Sequence, residues 1–333
     1  MRVLVLRQVK AALQLEQRPS LAPGADEVVV RLRAAGLNRR DYWITQGLYP
    51  GIEPPVVLGS DGAGVVRQVG DQVDPAWKDR EVIIDPGLDW GDSQASQSDA
   101  FAILGLPRDG VFAEEVVVPA SQLHDKPSHL SWEEAAALPL AGATAYRAVF
   151  SQGQLQAGET LLITGIGGGV ATFALQFGVS IGAKVWVTSS SAEKIQRAVE
   201  LGAEGGFNYR EEGWAKALAA QAEAPNLIVD SAGGAGYGKL LQAAAPGGRI
   251  VNYGATAGPP EKLDLFKIFW KQLRLQGSTM ASPADFSAML ELVNRRQLRP
   301  IVDAVFPLEE GNRAIEQMEA SPQFGKYVLK IAD

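Results

Sequence analysis

The residues best suited to chemistry in this chain are a run of glycines between two apolar segments. They lie in LLITGIGGGVATFALQFG, which begins at Leu161. A glycine-rich turn between a strand and a helix leaves backbone N–H groups bare at the helix N-terminus, where a pyrophosphate is held without a charged side chain. The spacing departs from the usual dinucleotide fingerprint, and we interpret it as Gly165-x-x-Gly168-x-x-Ala171. The pattern predicts a phosphate-binding turn formed by Gly165, Gly168, Gly169 and Val170.

Other catalytic chemistry is limited by what the chain lacks. It has no cysteine, so disulfides, a thiolate nucleophile and a Cys-ligated structural zinc are excluded. Its only histidines, His124 and His129, are separated by Pro127 and do not share a helix face. Their surroundings favour a linker that leads into a helix near Ser131. Nothing resembles a Ser-His-Asp triad or a pair of catalytic carboxylates, and we expect catalysis without a metal.

The pattern of elements that must position these residues changes along the chain. Residues 1–127 alternate short strands with Gly/Pro/Asp turns, as in a β-rich domain. From residue 128, Ala-rich helical segments alternate with short apolar runs, which is typical of βαβ units and a doubly wound parallel sheet. We therefore predict an α/β protein with a β-rich domain (1–127), a parallel-sheet domain (128–280) and a C-terminal return to the first domain (281–333).

Composition excludes several other classes of protein. Of 333 residues, 46% are hydrophobic and 21% charged, as in ordinary globular proteins. A net charge of −7 without a long basic run gives no support for binding nucleic acid or an anionic membrane. Residues 160–183 carry no charge, but their glycines disfavour a continuous membrane helix. The apolar stretch near the N-terminus is too short for a signal peptide, so we expect a cytoplasmic protein.

Five segments resemble a known family. They are AAGLNRRDYWITQGLYP (34–50), PPVVLGSDGAGVVRQVG (54–70), AALPLAGATAYRAV (136–149), LLITGIGGGVATFALQFG (161–178) and FNYREE (207–212). On these the chain resembles the medium-chain dehydrogenase/reductase superfamily, and within it the zinc-free quinone oxidoreductase branch, over essentially its whole length. The resemblance implies a GroES-like first domain, a Rossmann-type second domain and a homodimer, for which residues 273–278 are a candidate edge strand. In the zinc alcohol dehydrogenases of the superfamily, a metal-binding Cys and His stand at the positions of Asn38 and Ser60, so zinc chemistry is not expected here.

The end of the second Rossmann strand indicates which cofactor is used. NAD enzymes place a carboxylate there to accept hydrogen bonds from the adenosine ribose. Ser189 stands at this position in VTSSSAEK, so a 2′-phosphate would not be repelled, and Lys194 supplies a cation. The resemblance implies phosphate contacts from Lys194 and Tyr209, with Ser190 and Arg197 within reach. Together these residues predict NADPH, although Lys194 and Tyr209 taken singly also fit a solvated lysine and a half-buried aromatic.

Further cofactor contacts follow from the resemblance. Thr144 matches a position that approaches the nicotinamide, while Gly254, Ala255 and Thr256 follow an apolar strand at the edge where α/β sheets bind ligands. Lys326, in FGKYVL, resembles a late basic residue that reaches the cofactor phosphates. The alternative for Lys326 is a surface lysine beside an edge strand.

The reaction needs groups that stabilise an oxyanion. Hydride addition to a quinone or an α,β-unsaturated carbonyl leaves a delocalised phenolate or enolate, for which one or two hydrogen-bond donors suffice. Asn38 and Tyr49 are the candidate donors, and Tyr42 and Trp43 are candidates for the substrate pocket. Alternatively, Asn38 caps a turn and the aromatic side chains serve packing.

The sequence leaves three functional hypotheses open. The first is an NADPH-dependent reductase of quinones or α,β-unsaturated carbonyls, which would act on a small-molecule substrate. The second is an enoyl-thioester reductase, which would need a basic track for the phosphopantetheine that the sequence does not clearly contain. The third is an NADPH-binding protein without turnover.

Overall fold

The computed structural model describes residues 1–320 and 322–332, so positions 321 and 333 of the predicted C-terminal segment lie outside the described residues. The strands are β1 Arg2–Leu6, β2 Gln14–Gln17, β3 Glu27–Gly36, β4 Val56–Val57, β5 Asp61–Val69, β6 Glu81–Ile84, β7 Gly87–Leu88, β8 Ala102–Ile103, β9 Glu115–Pro119, β10 Leu123–Asp125, β11 Thr160–Ile163, β12 Lys184–Ser189, β13 Gly205–Asn208, β14 Leu227–Asp230, β15 Arg249–Asn252, β16 Arg274–Gly277, β17 Val302–Pro307 and β18 Lys326–Lys330. The α-helices are α1 Arg39–Thr45, α2 Trp132–Ala137, α3 Pro139–Tyr146, α4 Gly169–Ser180, α5 Ala192–Glu200, α6 Trp214–Gln221, α7 Tyr237–Ala243, α8 Leu265–Lys271, α9 Pro283–Arg296 and α10 Gly311–Glu319.

The chain divides into two compact units. Unit 1 comprises Met1–Ala141 and the C-terminal segment that begins at Ser282, and unit 2 comprises Gly142–Ala281. The chain therefore returns to unit 1 at residue 282, next to the predicted 281. The first boundary between the units follows residue 141, later than the predicted 127. The difference arises because α2 packs on β3 and β5 and so stays with unit 1. Helix α2 lies so close to β3 that a Cβ added to Gly36 of β3 would lie 2.3 Å from the carbonyl oxygen of Ala136 in α2.

Unit 1 is built around a seven-stranded sheet in the order β10-β6-β5-β3-β18-β17, with β9 also paired to β3. The central pairs of β3 with β5 and of β3 with β18 are antiparallel. Fully buried side chains such as Leu32, Leu58 and Phe112 fill its core. This is the β-rich domain that the sequence predicts.

The register of unit 1 brings distant parts of the chain together. Gly36, at the end of β3, faces Asp61 at the start of β5. On its other side Gly36 faces Val328 of β18, and the N–H of Leu37 donates to the carbonyl oxygen of Tyr327 at 2.9 Å. Because both neighbours are antiparallel to β3, one strand end and two strand starts meet at the same edge of the sheet.

Unit 2 contains a parallel sheet of six strands in the order β13-β12-β11-β14-β15-β16. Numbered within the unit, this is the 3-2-1-4-5-6 order of the Rossmann fold, and it confirms the predicted doubly wound sheet. Leu162, Ile228 and Ile250 are fully buried, as expected for strands covered by helices on both faces. The strand order reverses at β11, where such sheets bind their ligands.

The uncharged stretch 160–183 forms β11 and α4 rather than one long helix. The helical part, Gly169–Ser180, has 12 residues. Among residues 1–320 and 322–332, no helix is long and apolar enough to span a membrane.

Candidate active site

The meeting point of the strand ends in unit 1 holds three polar side chains in mutual hydrogen bonds. The ammonium of Lys326 donates to Asn38 Oδ1 at 2.6 Å and to Asp61 Oδ2 at 3.0 Å. The amide Nδ2 of Asn38 donates to the same Asp61 oxygen at 2.9 Å. The relative exposures of Asn38, Asp61 and Lys326 are 6%, 0% and 4%. We call these three residues the polar triad.

Backbone groups hold the triad in place. The N–H of Asn38 donates to Asp41 Oδ2 at 2.8 Å, so Asp41 anchors the start of α1. Asp61 Oδ1 accepts from the N–H of Leu140 at 2.8 Å. The other Asp41 oxygen is buried without a hydrogen-bond partner, and burial raises the pKa of this carboxyl to about 6. Asn38 stands at the N-cap position of α1, but its side-chain oxygen and nitrogen face Lys326 and Asp61 instead of capping the helix.

Lys326 has partners other than those that the resemblance implies. It is not a surface lysine, because β18 lies inside the sheet next to β3 and directs the first residue of the strand inwards. Its ammonium is shared between Asn38 and Asp61, whereas the resemblance assigns it to cofactor phosphates. No signal in the sequence points to this pairing, since nearly 300 positions separate Lys326 from Asn38.

The positions that match zinc ligands do not fit a zinc ion. Ser60 Oγ donates to the carbonyl oxygen of Leu104 at 2.8 Å and accepts from the guanidinium of Arg40 at 2.7 Å. Asn38 Oδ1 and the Asp61 carboxylate already face the Lys326 ammonium, a cation supplied by the chain itself. Zinc in proteins takes Cys, His or carboxylate ligands with free electron pairs directed at one point. These side chains do not provide such a set.

Neither histidine changes this conclusion. The ring of His124 packs on Phe286, with a centroid distance of 4.7 Å. His129 Nε2 lies 3.0 Å from the carbonyl oxygen of Leu298. In the part of the chain that the structure describes, no group of three or more His, Asp or Glu side chains could hold a metal ion.

The aromatic candidates surround the start of α1. Tyr42 is 9% exposed and meets Trp43 edge to face at 5.1 Å between ring centroids. The guanidinium of Arg39 lies over both rings, at 4.8 and 5.0 Å. Tyr49 is half-buried, with the guanidinium of Arg40 5.1 Å from its ring centroid. Tyr42 is therefore chiefly a packing residue, whereas Trp43 and Tyr49 keep part of their surface open.

The glycine turn of unit 2 has the geometry of a phosphate cradle. Gly165 and Gly167 have φ values of +65° and +120°, which favour glycine, and Gly168 immediately precedes α4. Gly165 and Gly168 are exposed, and a Cβ added to Gly168 would meet nothing within 4 Å. The helix N-terminus therefore opens onto free space, as a bound pyrophosphate needs. Ala171 is 1% exposed, in keeping with the close packing expected there.

The residues that the sequence assigns to cofactor selection gather at the ends of β12 and β13. The carbonyl oxygen of Ser189 accepts from the N–H of Tyr209 at 3.2 Å, which brings these two residues together. Ser191 caps α5 by accepting from the N–H of Lys194 at 3.3 Å. Ser189 is buried, Ser190 and Lys194 are half-buried, and Tyr209 is 44% exposed. The acidic side chain expected of an NAD site is absent at Ser189.

A buried hydrogen-bond network centred on Asp230 supports the same edge of the sheet; the sequence places Asp230 at this ligand-binding edge but does not predict its partners. Asp230, 1% exposed, accepts from Thr164 Oγ1 at 2.6 Å, from Asn252 Nδ2 at 3.0 Å and from the N–H of Gly233 at 2.9 Å. Thr164 follows β11, Asp230 ends β14 and Asn252 ends β15, so the network ties together three neighbouring strands. The signal available in the sequence was a polar residue at each strand end.

The loop that follows β15 is attached by backbone hydrogen bonds to the loop that follows β14. The N–H of Thr256 donates to the carbonyl oxygen of Ser231 at 3.1 Å. Gly254, Ala255 and Thr256 remain exposed. Thr144 is buried, with its hydroxyl 4.0 Å from the sulfur of Met280. The glycine turn, the Ser189 region and this loop therefore all lie at the carboxyl edge of one sheet.

Comparisons with known proteins agree with this architecture. Residues 24–128 match the model of the alcohol dehydrogenase GroES-like domain, and residues 169–295 match that of the zinc-binding dehydrogenase family. A zinc-type alcohol dehydrogenase-like protein YogA of Leptosphaeria maculans is 35% identical, with 97% of this chain and 96% of the relative covered.

Solved structures carry the comparison to three dimensions. A crystal structure of an NAD-dependent alcohol dehydrogenase superposes with a TM-score of 0.94 at 36% identity, covering 100% of both chains. The 2-octenoyl-CoA carboxylase reductase CinF, in complex with NADP and 2-octenoyl-CoA, has a TM-score of 0.86 at 28% identity, covering 96% of this chain and 82% of that chain. The chain belongs to the medium-chain dehydrogenase/reductase superfamily and is an oxidoreductase with a nicotinamide cofactor.

Proposed function

We propose that this protein is a zinc-independent reductase that uses NADPH to reduce quinones or α,β-unsaturated carbonyl compounds. The observation that carries the proposal is the polar triad. Where zinc enzymes of the superfamily hold metal ligands, this chain has a side-chain amide hydrogen-bonded to an internal ammonium and a carboxylate. Such a site offers hydrogen-bond donors and a positive charge but no Lewis acid, which suits a delocalised anion better than an alkoxide.

The roles of the residues follow from this chemistry. NADPH supplies the hydride when bound. Asn38 Nδ2 has two protons, of which Asp61 takes one, so the other is available to an oxygen of the acceptor. The phenol of Tyr49 is a second donor from a half-buried side chain. In this scheme Tyr49 orients the oxygen of the acceptor, and the final protonation falls to water.

Turnover with a panel of acceptors tests the proposal. The purified protein is mixed with NADPH and benzoquinones, enones, enals or simple ketones, and absorbance at the nicotinamide band is followed. We expect oxidation with quinones or conjugated carbonyls and none with isolated ketones. Tight NADPH binding, seen as fluorescence quenching, without oxidation by any of these acceptors would refute this proposal and leave the enoyl-thioester reductase and the NADPH-binding protein as hypotheses.

The preference for NADPH rests on the side chains at the ends of β12 and β13. Ser189 replaces the carboxylate that would repel a 2′-phosphate at the end of β12, and Lys194 adds a positive charge in the first turn of α5, next to Glu193. Ser189→Asp combined with Lys194→Ala should lower the NADPH/NADH ratio of kcat/KM about a hundredfold, since one charge repels the phosphate and the other is lost.

A lysine at the other end of β12 provides the matched control. Lys184 begins the strand and pairs with Glu223 at 2.9 Å, away from the carboxyl edge of the sheet. Lys184→Ala should leave the cofactor ratio unchanged. An unaltered ratio in the double variant would refute the phosphate site.

An enoyl-thioester reductase is the second candidate, and the likeness to a structure that holds NADP and 2-octenoyl-CoA favours it. Matched acceptors separate the two candidates: crotonyl-CoA is compared with a crotonyl thioester of a short thiol. A KM at least tenfold lower for the CoA ester would indicate recognition of the nucleotide and favour this candidate. Equal KM values would favour small acceptors.

We also propose that the protein is a homodimer formed through unit 2. Strand β16 is the outer strand of the sheet, and its four residues are all exposed. Neighbouring α8 exposes Phe266 by 77%, Phe269 by 61% and Trp270 by 82%. A second copy presents the same edge and the same apolar side chains across a two-fold axis, so both surfaces are buried together. Light scattering should give twice the 35.5 kDa chain mass, and Trp270→Lys should halve it.

A further inference from the structure

The amide of Asn38 is held in one of its two possible orientations. An asparagine side chain can rotate by half a turn, which exchanges its oxygen and nitrogen. In the observed orientation Oδ1 faces the Lys326 ammonium at 2.6 Å and Nδ2 faces Asp61 Oδ2 at 2.9 Å. After rotation, the NH₂ group would face the ammonium and the carbonyl oxygen would face the carboxylate. Both contacts would then be repulsive.

Lys326 is the group that makes this choice strict. Without Lys326, the Asp61 carboxylate would still attract the NH₂ group of Asn38. The Asn38 Oδ1 oxygen would then have no partner in a buried site. The ammonium has three donors and no acceptor, so only an oxygen can face it. It also balances the charge of Asp61, whose carboxylate is 0% exposed. The lysine is itself fixed because it begins β18 beside β3.

We propose that Lys326 is a positioning residue, which acts by locking the Asn38 amide so that its second N–H is directed at the reacting oxygen of the acceptor. The inference rests on the proposed function, since it assigns a task to the free N–H of Asn38. Lys326 itself touches neither acceptor nor cofactor in this scheme. Its role differs from the phosphate contact that the resemblance implies.

A double-mutant cycle tests the inference. Lys326→Met should lower kcat about 100-fold with little change in the KM for NADPH, a loss comparable to the removal of one oxyanion donor. Asn38→Ala should lower kcat by a similar factor. If the lysine acts through Asn38, adding Lys326→Met to Asn38→Ala should change kcat less than about threefold. Two losses that multiply in the double variant would overturn the inference.

Control variants separate positioning from stability. Lys126 is a half-buried lysine of unit 1 whose side chain is 7% exposed, with an ion pair to Glu81 at 3.3 Å and a hydrogen bond to the carbonyl oxygen of Leu130. Lys126→Met should lower the melting temperature while leaving kcat unchanged. Lys326→Arg retains both the charge and the donors, and it should keep kcat within about fivefold if Lys326→Met is too unstable to assay. An Arg variant as impaired as one lacking the Asn38 amide would contradict the inference.

The orientation of the amide is also visible without turnover. The side-chain NH₂ signals of Asn38 are assigned in ¹⁵N spectra by their loss in Asn38→Ala. In Lys326→Met these signals should shift and broaden as the amide begins to rotate, whereas Lys126→Met should leave them unchanged. Unchanged Asn38 signals in Lys326→Met would refute the locking of the amide. This measurement decides the inference even if no acceptor is reduced and the proposed function fails.

Discussion

The polar triad of unit 1 and the glycine turn at the carboxyl edge of the unit 2 sheet present polar groups in opposite ways. In the triad, three side chains from distant parts of the chain are buried and satisfy one another. The glycine turn has no polar side chains: Gly168, at the N-terminus of α4, is exposed next to open space, and the N–H of Gly165 donates to Thr188 Oγ1 at 3.3 Å. The stability of the triad depends on charge balance in a buried site, whereas ligand binding at the turn depends on the absence of side chains there.

This contrast implies different sensitivities to substitution. A buried charge that loses its partner is penalised by desolvation, so changes in the triad should affect stability as well as chemistry. A glycine at an open turn contributes little to packing, so changes there should affect the ligand and leave the fold intact. The two regions can therefore be separated by measuring unfolding and cofactor binding on the same variants.

The largest expected effect comes from removing the cation of the triad. Lys326→Met leaves the fully buried Asp61 carboxylate without its counter-ion, and the free energy of unfolding should fall by about 3–5 kcal/mol. In unit 2, Lys184 and Glu223 form an ion pair with side-chain exposures of 47% and 70%. Lys184→Met should therefore cost less than about 1 kcal/mol. Urea unfolding curves measure both losses.

A second substitution tests whether the stability lost in Lys326→Met is caused by the unpaired charge of Asp61. Adding Asp61→Asn to Lys326→Met removes the unpaired carboxylate and should recover part of the lost stability. If Lys326→Met and Lys184→Met cost the same, the triad contributes no more than a surface pair, and the contrast between the two regions is wrong.

A smaller effect should distinguish two glycines, one from each region. In Gly36→Ala the new Cβ would lie 2.3 Å from the carbonyl oxygen of Ala136, and the strain should lower the free energy of unfolding by about 2 kcal/mol. In Gly168→Ala the Cβ meets no protein atom within 4 Å, so stability should change by less than about 1 kcal/mol.

Cofactor affinity should show the reverse order for the same two variants. The Cβ of Gly168→Ala occupies space in front of the helix N-terminus, and the Kd for NADPH should rise about tenfold. Gly36→Ala should bind NADPH as the wild type does at temperatures where it is folded. Titration of the fluorescence quenching measures both, and unchanged binding by Gly168→Ala would mean that the phosphates do not approach this turn.

The same contrast explains how much could be predicted from the sequence. The parallel-sheet unit and its glycine turn are predictable because strand, turn and helix follow one another locally, and the strand order confirms the prediction. Family motifs assign Tyr209 and Ser189 to one site, and a backbone hydrogen bond joins them. Whether they bind a phosphate stays a prediction.

The partners of the buried groups could not be predicted in the same way. Lys326, Asn38 and Asp61 meet only because of the register of β3 with β5 and β18, which no local pattern encodes. A lysine at the start of a strand looks the same in the sequence whether the strand lies at an edge or in the middle of a sheet. The boundary after residue 141 is hidden for a related reason, since the packing of α2 on β3 is also a tertiary contact.

The smallest expected effect concerns a third buried carboxyl of unit 1, Asp85. It is 5% exposed and accepts from the N–H of Gly87 at 2.9 Å, and burial raises its pKa to about 7. Because the ordinary pKa of aspartate is about 3.9, the folded state binds a proton that the unfolded state releases between about pH 4 and 7. The protonated Asp85 therefore adds to the free energy of unfolding at low pH, and this stabilisation is lost as the pH rises through 7.

Asp85→Asn isolates this contribution, because the amide is uncharged at every pH. Relative to the variant, the wild type should lose about 1.4 kcal/mol of unfolding free energy between pH 6 and pH 8, the value of roughly one proton over one pH unit. Urea unfolding of both proteins at these two pH values gives the difference directly. Glu223→Gln, which alters an exposed carboxyl of unit 2, should run parallel to the wild type. Parallel curves for Asp85→Asn would instead mean that water reaches the Asp85 carboxyl and that burial does not raise its pKa.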